Sequence, residues 1–128
     1  MNDNEKATAF DYEEEKSEYS MYSKHPIVPD FGAIVGGRLT REAKTEYEYV
    51  FTDDDDNNKV TNQAINKYLK VLAALGYRFE EIIDYQVDNG HTYGRVLFNN
   101  EKNSVNVICG KAYHGNTAIV IIEYYDQV

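Results

Sequence analysis

The sequence predicts an α+β domain: one helix packed on a mainly antiparallel sheet of four to five strands, in the order β-α-β-β-β-β and in two layers. Three observations predict it. Residues 46–52 alternate, with Tyr47, Tyr49 and Phe51 on one parity and Glu46, Glu48, Val50 and Thr52 on the other, the period of a half-buried strand. Residues 60–75 place Ile65, Tyr68, Leu69, Leu72 and Leu75 at helical spacing, which makes one apolar stripe. Beyond them, Asn89-Gly90 and His114-Gly115-Asn116 each divide two extended runs, and Asn-Gly is the pair that best satisfies the positive φ angles of a tight hairpin.

The elements follow in order along the chain. Residues 1–24 are polar and charged, and Phe10, Tyr12, Tyr19, Met21 and Tyr22 keep no sustained period, so they read as a disordered acidic tail or tether ahead of a single domain over residues 25–128. Pro26 and Pro29 fix two φ angles and hold the residues before them extended, so residues 25–37 enter the domain as a strap anchored by Ile27, Val28 and Phe31. Within it, Gly32, Gly36 and Gly37 bracket Ala33-Ile34-Val35, which suits a brief strand or a close approach of backbone to the body. Thr61 or Asn58 caps the helix, the aspartates before it complement its dipole, and Gly76 supplies a left-handed stop. Residues 81–88, 91–99, 104–113 and 117–125 then form a four-stranded meander. Residues 118–122 are apolar on both parities, as in a central strand covered on both faces.

A chain of 128 residues with 42% hydrophobic and 27% charged residues is an ordinary globular composition, long enough for one core without staples. No apolar run approaches the roughly 20 residues of a membrane-spanning helix. Met1 to Glu5 lack the basic start and apolar stretch of a secretory signal, which taken as it stands points to the cytoplasm. The single cysteine, Cys109, excludes an intramolecular disulfide and a zinc site of paired thiolates. Of the formal charge of −9, residues 1–20 carry −5, with seven carboxylates against Lys6 and Lys16, which leaves −4 for the rest. So mild an acidity serves solubility and argues against nucleic-acid binding, which draws its affinity from Lys and Arg on phosphates.

No constellation of residues carries recognisable chemistry, and no catalytic, cofactor-binding or metal residue is predicted. Asp53-Asp54-Asp55-Asp56-Asn57-Asn58 begins like a calcium loop, but with Asp53 first, Asn58 stands where the turn needs Gly and Ala64 where a bidentate Glu is needed. Any cation affinity there is expected to be no better than millimolar. His25, His91, His114 and Cys109 are the candidates for nucleophilic or base chemistry. His91 and His114 flank turns, and Cys109 lies mid-strand among apolar neighbours, where a thiol serves as a small hydrophobe. The glycines 32, 36 and 37 lack the strand–turn–helix setting and spacing of a phosphate loop.

Twelve tyrosines without a tryptophan are the main functional hint, since tyrosine gives large contact area at low entropic cost. Tyr47, Tyr49, Tyr68 and Tyr85 are expected in the helix–sheet core. Tyr93, Tyr113, Tyr124 and Tyr125, near strand ends, are the predicted surface contacts.

The segment from Tyr22 to Gly36, with Pro26-Ile-Val-Pro29-Asp-Phe-Gly32, followed by the Tyr-rich strand and a helix ending Leu-Lys-Val-Leu-Ala-Ala-Leu-Gly-Tyr77, resembles a group of uncharacterised small domains in surface proteins and lipoproteins of Gram-positive gut bacteria, which share a Pro-x-x-Pro-Asp-Phe-Gly motif. The resemblance covers residues 22–80. It implies an extracytoplasmic domain on an acidic tether, membrane-associated only through an anchor outside this sequence, and brings no catalytic residue. The expected function is a non-catalytic binding module for a protein or surface ligand, without cofactor or nucleic acid. The alternative is a cytoplasmic inhibitor or immunity protein that binds a basic toxin or nuclease by charge; a third class, a hydrolase, would use Cys109 or a histidine.

Overall fold

A computed structural model describes residues 19–51, 57–88, 91–114 and 117–126. Eight strands and two helices form among them: β1 Met21–Tyr22, β2 His25–Pro29, α1 Phe31–Val35, β3 Arg38–Glu42, β4 Glu46–Phe51, α2 Asn57–Ala74, β5 Arg78–Asp88, β6 His91–Asn100, β7 Val105–His114 and β8 Thr117–Asp126. The mainly antiparallel α+β character is as expected, but the count is not. A six-stranded sheet in the order β3-β4-β8-β7-β6-β5 and a separate β1-β2 ribbon replace the expected single helix on four to five strands.

Each missed element has a local cause. Strand β3, Arg-Leu-Thr-Arg-Glu, is exposed along its whole length and is held by backbone pairing to β4 from Arg38↔Val50 to Glu42↔Tyr47, so it buries no face that could leave an alternating pattern. Residues 31–35 form a helical turn rather than the expected strand because Asp30 caps it: its carboxylate accepts a hydrogen bond from the Ala33 amide at 3.1 Å. Gly32 sits there because a β-carbon would lie 2.6 Å from the Tyr49 ring. Residues 21–22, assigned to the tail by sequence, pair with the strap through Met21↔Pro29 and Tyr22↔His25, and Tyr22 is buried in the core. The ordered domain therefore reaches back beyond residue 25; residues 1–18 lie outside the described residues.

The core forms on one face of the large sheet. Tyr47, Tyr49 and Phe51 of β4 stand opposite Ile122, Val120 and Ala118 of β8; Ile122 and Tyr124 in turn stand opposite Cys109 and Val107 of β7, and all are buried. Strand β8 is central, as its apolar run predicted. Covering this face are the ribbon, α1 and α2, which packs on β4, β8 and α1. The stripe of α2 is turned from the expected one. Thr61, Ala64, Tyr68, Val71, Leu72 and Leu75 are buried, whereas Ile65 and Leu69 are only partly so. The helix stops as expected at Gly76, with φ of 92°. The Gly76 amide reaches the Ala73 carbonyl and the Tyr77 amide the Leu72 carbonyl, at 3.1 and 2.9 Å, the paired bonds of a Schellman motif.

Both expected hairpins are present as strand pairs, β5 with β6 from Arg78↔Asn99 to Asp88↔His91 and β7 with β8 from Val105↔Asp126 to His114↔Thr117. Their turn residues 89–90 and 115–116, and residues 53–56 of the aspartate run, lie outside the described residues.

Candidate functional site

The tyrosines go mostly inward. The Tyr22 ring stacks on Tyr47 with centroids 4.0 Å apart, and Tyr124 stacks on both. Their hydroxyls tie the strap to the sheet and helix. The Tyr22 hydroxyl accepts from the Phe31 amide at 3.3 Å and lies 2.7 Å from the Tyr49 hydroxyl, which donates to Asp30 Oδ1 at 3.5 Å. Tyr68 donates to the Pro29 carbonyl at 2.6 Å and Tyr77 to that of Ile27 at 2.9 Å. Buried phenols with partners fasten a segment whose prolines cannot donate to a ladder.

Of the four predicted contacts, only Tyr125 is described as exposed. Tyr124 is not a surface contact: it is 2% exposed and donates to the Lys44 carbonyl. The side chains of Tyr93, Tyr113 and Tyr85 lie outside the described residues, as do those of His91 and His114.

Burial pushes the Tyr22 and Tyr68 phenols above their ordinary value of 10.0, and pushes the Cys109 thiol from 9.0 up to about 12. Cys109 lies between Val96 of β6 and Ile122 of β8 on the covered face, while His25 meets Asp126 at 3.3 Å and the edge of the Tyr124 ring. A protonated thiol inside a sheet is packing, and thiolate chemistry needs the opposite shift. These shifts also set an expected pH dependence. Because the folded values are raised, the neutral groups contribute stability in full below about pH 9, and it is lost as pH rises through the folded values. The denaturation midpoint is therefore expected to fall above about pH 9, with proton release on unfolding; a flat midpoint from pH 8 to 11 would contradict that burial.

An outward-facing surface forms where β5 and β6 extend past α2. Phe79 pairs with Phe98, Glu81 with Leu97, Ile82 with Val96 and Asp84 with Arg95, so the register shifts twice and Glu80 and Ile83 have no opposite residue. Each is the extra residue of a β-bulge. In a regular strand, residues three apart fall on opposite faces. The two bulges instead align Phe79 and Ile82 with Phe98 and Val96, the register positions that share the core face. Phe79 meets Phe98 edge to face at 5.8 Å, yet Phe79 and Ile82 are each 56% exposed and Ile83 37%.

The adjoining flank of α2 is identified by the Lys111 ammonium of β7, which donates to Asn62 Oδ1. At 100° per residue, Asn62, Ile65, Asn66, Leu69 and Ala73 share that flank, and none is charged. Helix and sheet thus make a ledge, with partly buried Val96 as floor, Ile65 and Leu69 as wall and the bulged edge at Phe79 and Ile82 as rim, while Phe98 beside them is buried. Covering the exposed half of one such side chain gains about 1 kcal/mol. Sequence reasoning missed Phe79 and Ile82 because Phe-Glu-Glu-Ile-Ile does not alternate, and only the bulges place the two on one face.

No family model, curated protein or solved structure matches the chain. Among the described residues, no group of three or more His, Cys, Asp or Glu side chains converges in a way that would hold a metal, and no helix is long and apolar enough to cross a membrane.

Proposed function

We propose that this chain is a non-catalytic interaction module whose docking surface is the ledge at Phe79 and Ile82. One observation carries the reading: two bulges bring large apolar side chains onto one face of an edge strand and leave them more than half exposed. Contiguous apolar surface of this kind is what interaction sites present. The placement of the candidate nucleophile supports it, since Cys109 is buried with its thiol raised. The resemblance of residues 22–80 adds that the module works at a bacterial cell surface.

The test is affinity capture from the source organism with three baits: the wild-type chain, Ile82→Asp and Cys109→Ser. Ile82 is exposed, so its variant should keep the wild-type melting temperature. The expected result is a partner retained by wild type and Cys109→Ser and lost from Ile82→Asp. A partner held equally by all three, or a hydrolytic turnover abolished by Cys109→Ser, would overturn the reading.

A further inference from the structure

We infer that the face of the large sheet turned away from α2 carries a second binding site, a row of side chains that takes a short neutral oligosaccharide. Its members come from four neighbouring strands. The register sets Arg78 of β5 opposite Asn99 of β6, Asn99 opposite Asn106 of β7, and Asn106 opposite Tyr125 of β8. Each adjoins in sequence a residue on the covered side, Phe79, Phe98, Val107 or Tyr124, so by alternation all four stand on the other face. With neighbouring strands about 4.8 Å apart, the row is about 14 Å long.

The row offers what a sugar needs. Tyr125 is 42% exposed and presents a flat apolar ring, against which the C–H groups of a pyranose lie, with a hydroxyl at its edge. Beside it, Asn99 Nδ2 donates to Asn106 Oδ1 at 3.0 Å, which holds the two carboxamides in one orientation. Asn99 Oδ1 is enclosed and has no donor, and a hydroxyl delivered at this row supplies the bond it lacks. Arg78, exposed and in no ion pair among the described residues, ends the row with a fork of donors. The next rung selects against a peptide. Ile108 is buried there, and the Arg95 side chain crosses Gly110, where a β-carbon would lie 3.1 Å from Arg95 Cγ, to reach Glu123 at 2.8 Å. That floor is filled, whereas an extended peptide is read by pockets for its alternate side chains. Charge selects against an ion. Around the row, Arg78 and Arg95 meet Glu123 and, opposite Leu97, Glu81 with its bulge neighbour Glu80, so the face is close to neutral and draws in neither an acidic nor a strongly basic ligand. A neutral ligand rich in hydroxyls pairs with the donors and the carboxylates alike.

The experiment titrates the full chain with cello-, chito-, malto- and xylo-oligosaccharides up to millimolar concentration, with oligogalacturonate and chitosan oligomers as acidic and basic counterparts. Amide shift changes give both the affinity and the contact surface. The expected result is binding of at least one neutral series, with shifts at Arg78, Asn99, Asn106 and Tyr125 and none on α2. Affinity should fall at least about tenfold in Tyr125→Ala and about threefold or more in Arg78→Gln, while Tyr125→Phe, which keeps the ring, should stay within about threefold of wild type. Tyr125 and Arg78 are exposed, so these variants should melt as wild type does, and Ile82→Asp, on the other face, should bind as wild type does. Binding of no neutral series would overturn the inference, as would equal binding by Tyr125→Ala. Preference for the acidic or the basic counterpart would assign the row to an ion and equally overturn it. Shifts that fall on the ledge and vanish in Ile82→Asp would move the saccharide to that surface, overturning the row while leaving the interaction module standing.

Discussion

Replacing Tyr22 by alanine will lower the unfolding free energy by about 3–5 kcal/mol, the range for removing a buried aromatic ring. Tyr22 is 3% exposed, stacks on Tyr47 and Tyr124, and its hydroxyl serves both the Phe31 amide and the Tyr49 hydroxyl. Tyr22→Phe separates the two contributions. It keeps the stack and leaves the Phe31 amide without its acceptor, at a cost of about 1–3 kcal/mol. Urea denaturation of both variants beside wild type is the measurement. If Tyr22→Ala were as stable as wild type, the β1-β2 ribbon would not belong to the core, and the domain would begin at residue 25 as the sequence suggests.

That difference between sequence and structure follows from what a linear pattern can record. The α2 stripe, the Tyr47-Tyr49-Phe51 alternation and the Asn89-Gly90 hairpin are local regularities with fixed periods, and each predicts an element that is present. Tyr22 is a single aromatic residue in a polar stretch. Its burial depends on a ribbon that pairs it with His25 and on a cavity closed by Tyr47, Tyr49 and Tyr124, none of which leaves a periodic trace near residue 22. The strand β3 is likewise invisible, because an exposed edge held by backbone pairing and by polar contacts such as Thr40 with Glu48 and Arg41 with Glu46 buries no apolar face.

The ledge was illegible for a related reason. The period-two rule assigns Phe79 and Ile82 to opposite faces, and a bulge is a property of the pairing, visible only once β6 lies alongside. The tyrosine surplus pointed in the other direction. Tyr47, Tyr49 and Tyr68 are buried as expected, but Tyr124, read as a contact residue, is buried as well, and Tyr68 and Tyr77 reach carbonyls of the strap, where Pro26 and Pro29 leave few amides to pair.

The other large effect is expected in α2, where Leu72→Ala will cost about 2–5 kcal/mol through lost burial and the cavity left behind. Leu72 is fully buried, and its carbonyl receives the Tyr77 amide at 2.9 Å, so its side chain sits in the turn that fixes the helix end and has little freedom to collapse into the gap. Lys70, two residues earlier and exposed, should tolerate alanine within about 0.5 kcal/mol. Leu69→Ala makes the comparison sharper. The sequence placed Leu69 and Leu72 on one stripe, which would give the two substitutions similar costs. The observed stripe runs through Val71 and Leu72 and leaves Leu69 at its margin against the ledge, so Leu69→Ala should cost clearly less than Leu72→Ala. Chemical denaturation of the three variants decides it: equal losses at Leu69 and Leu72 would mean that α2 lies turned toward β5 and covers the ledge itself, and the docking surface proposed there would be gone.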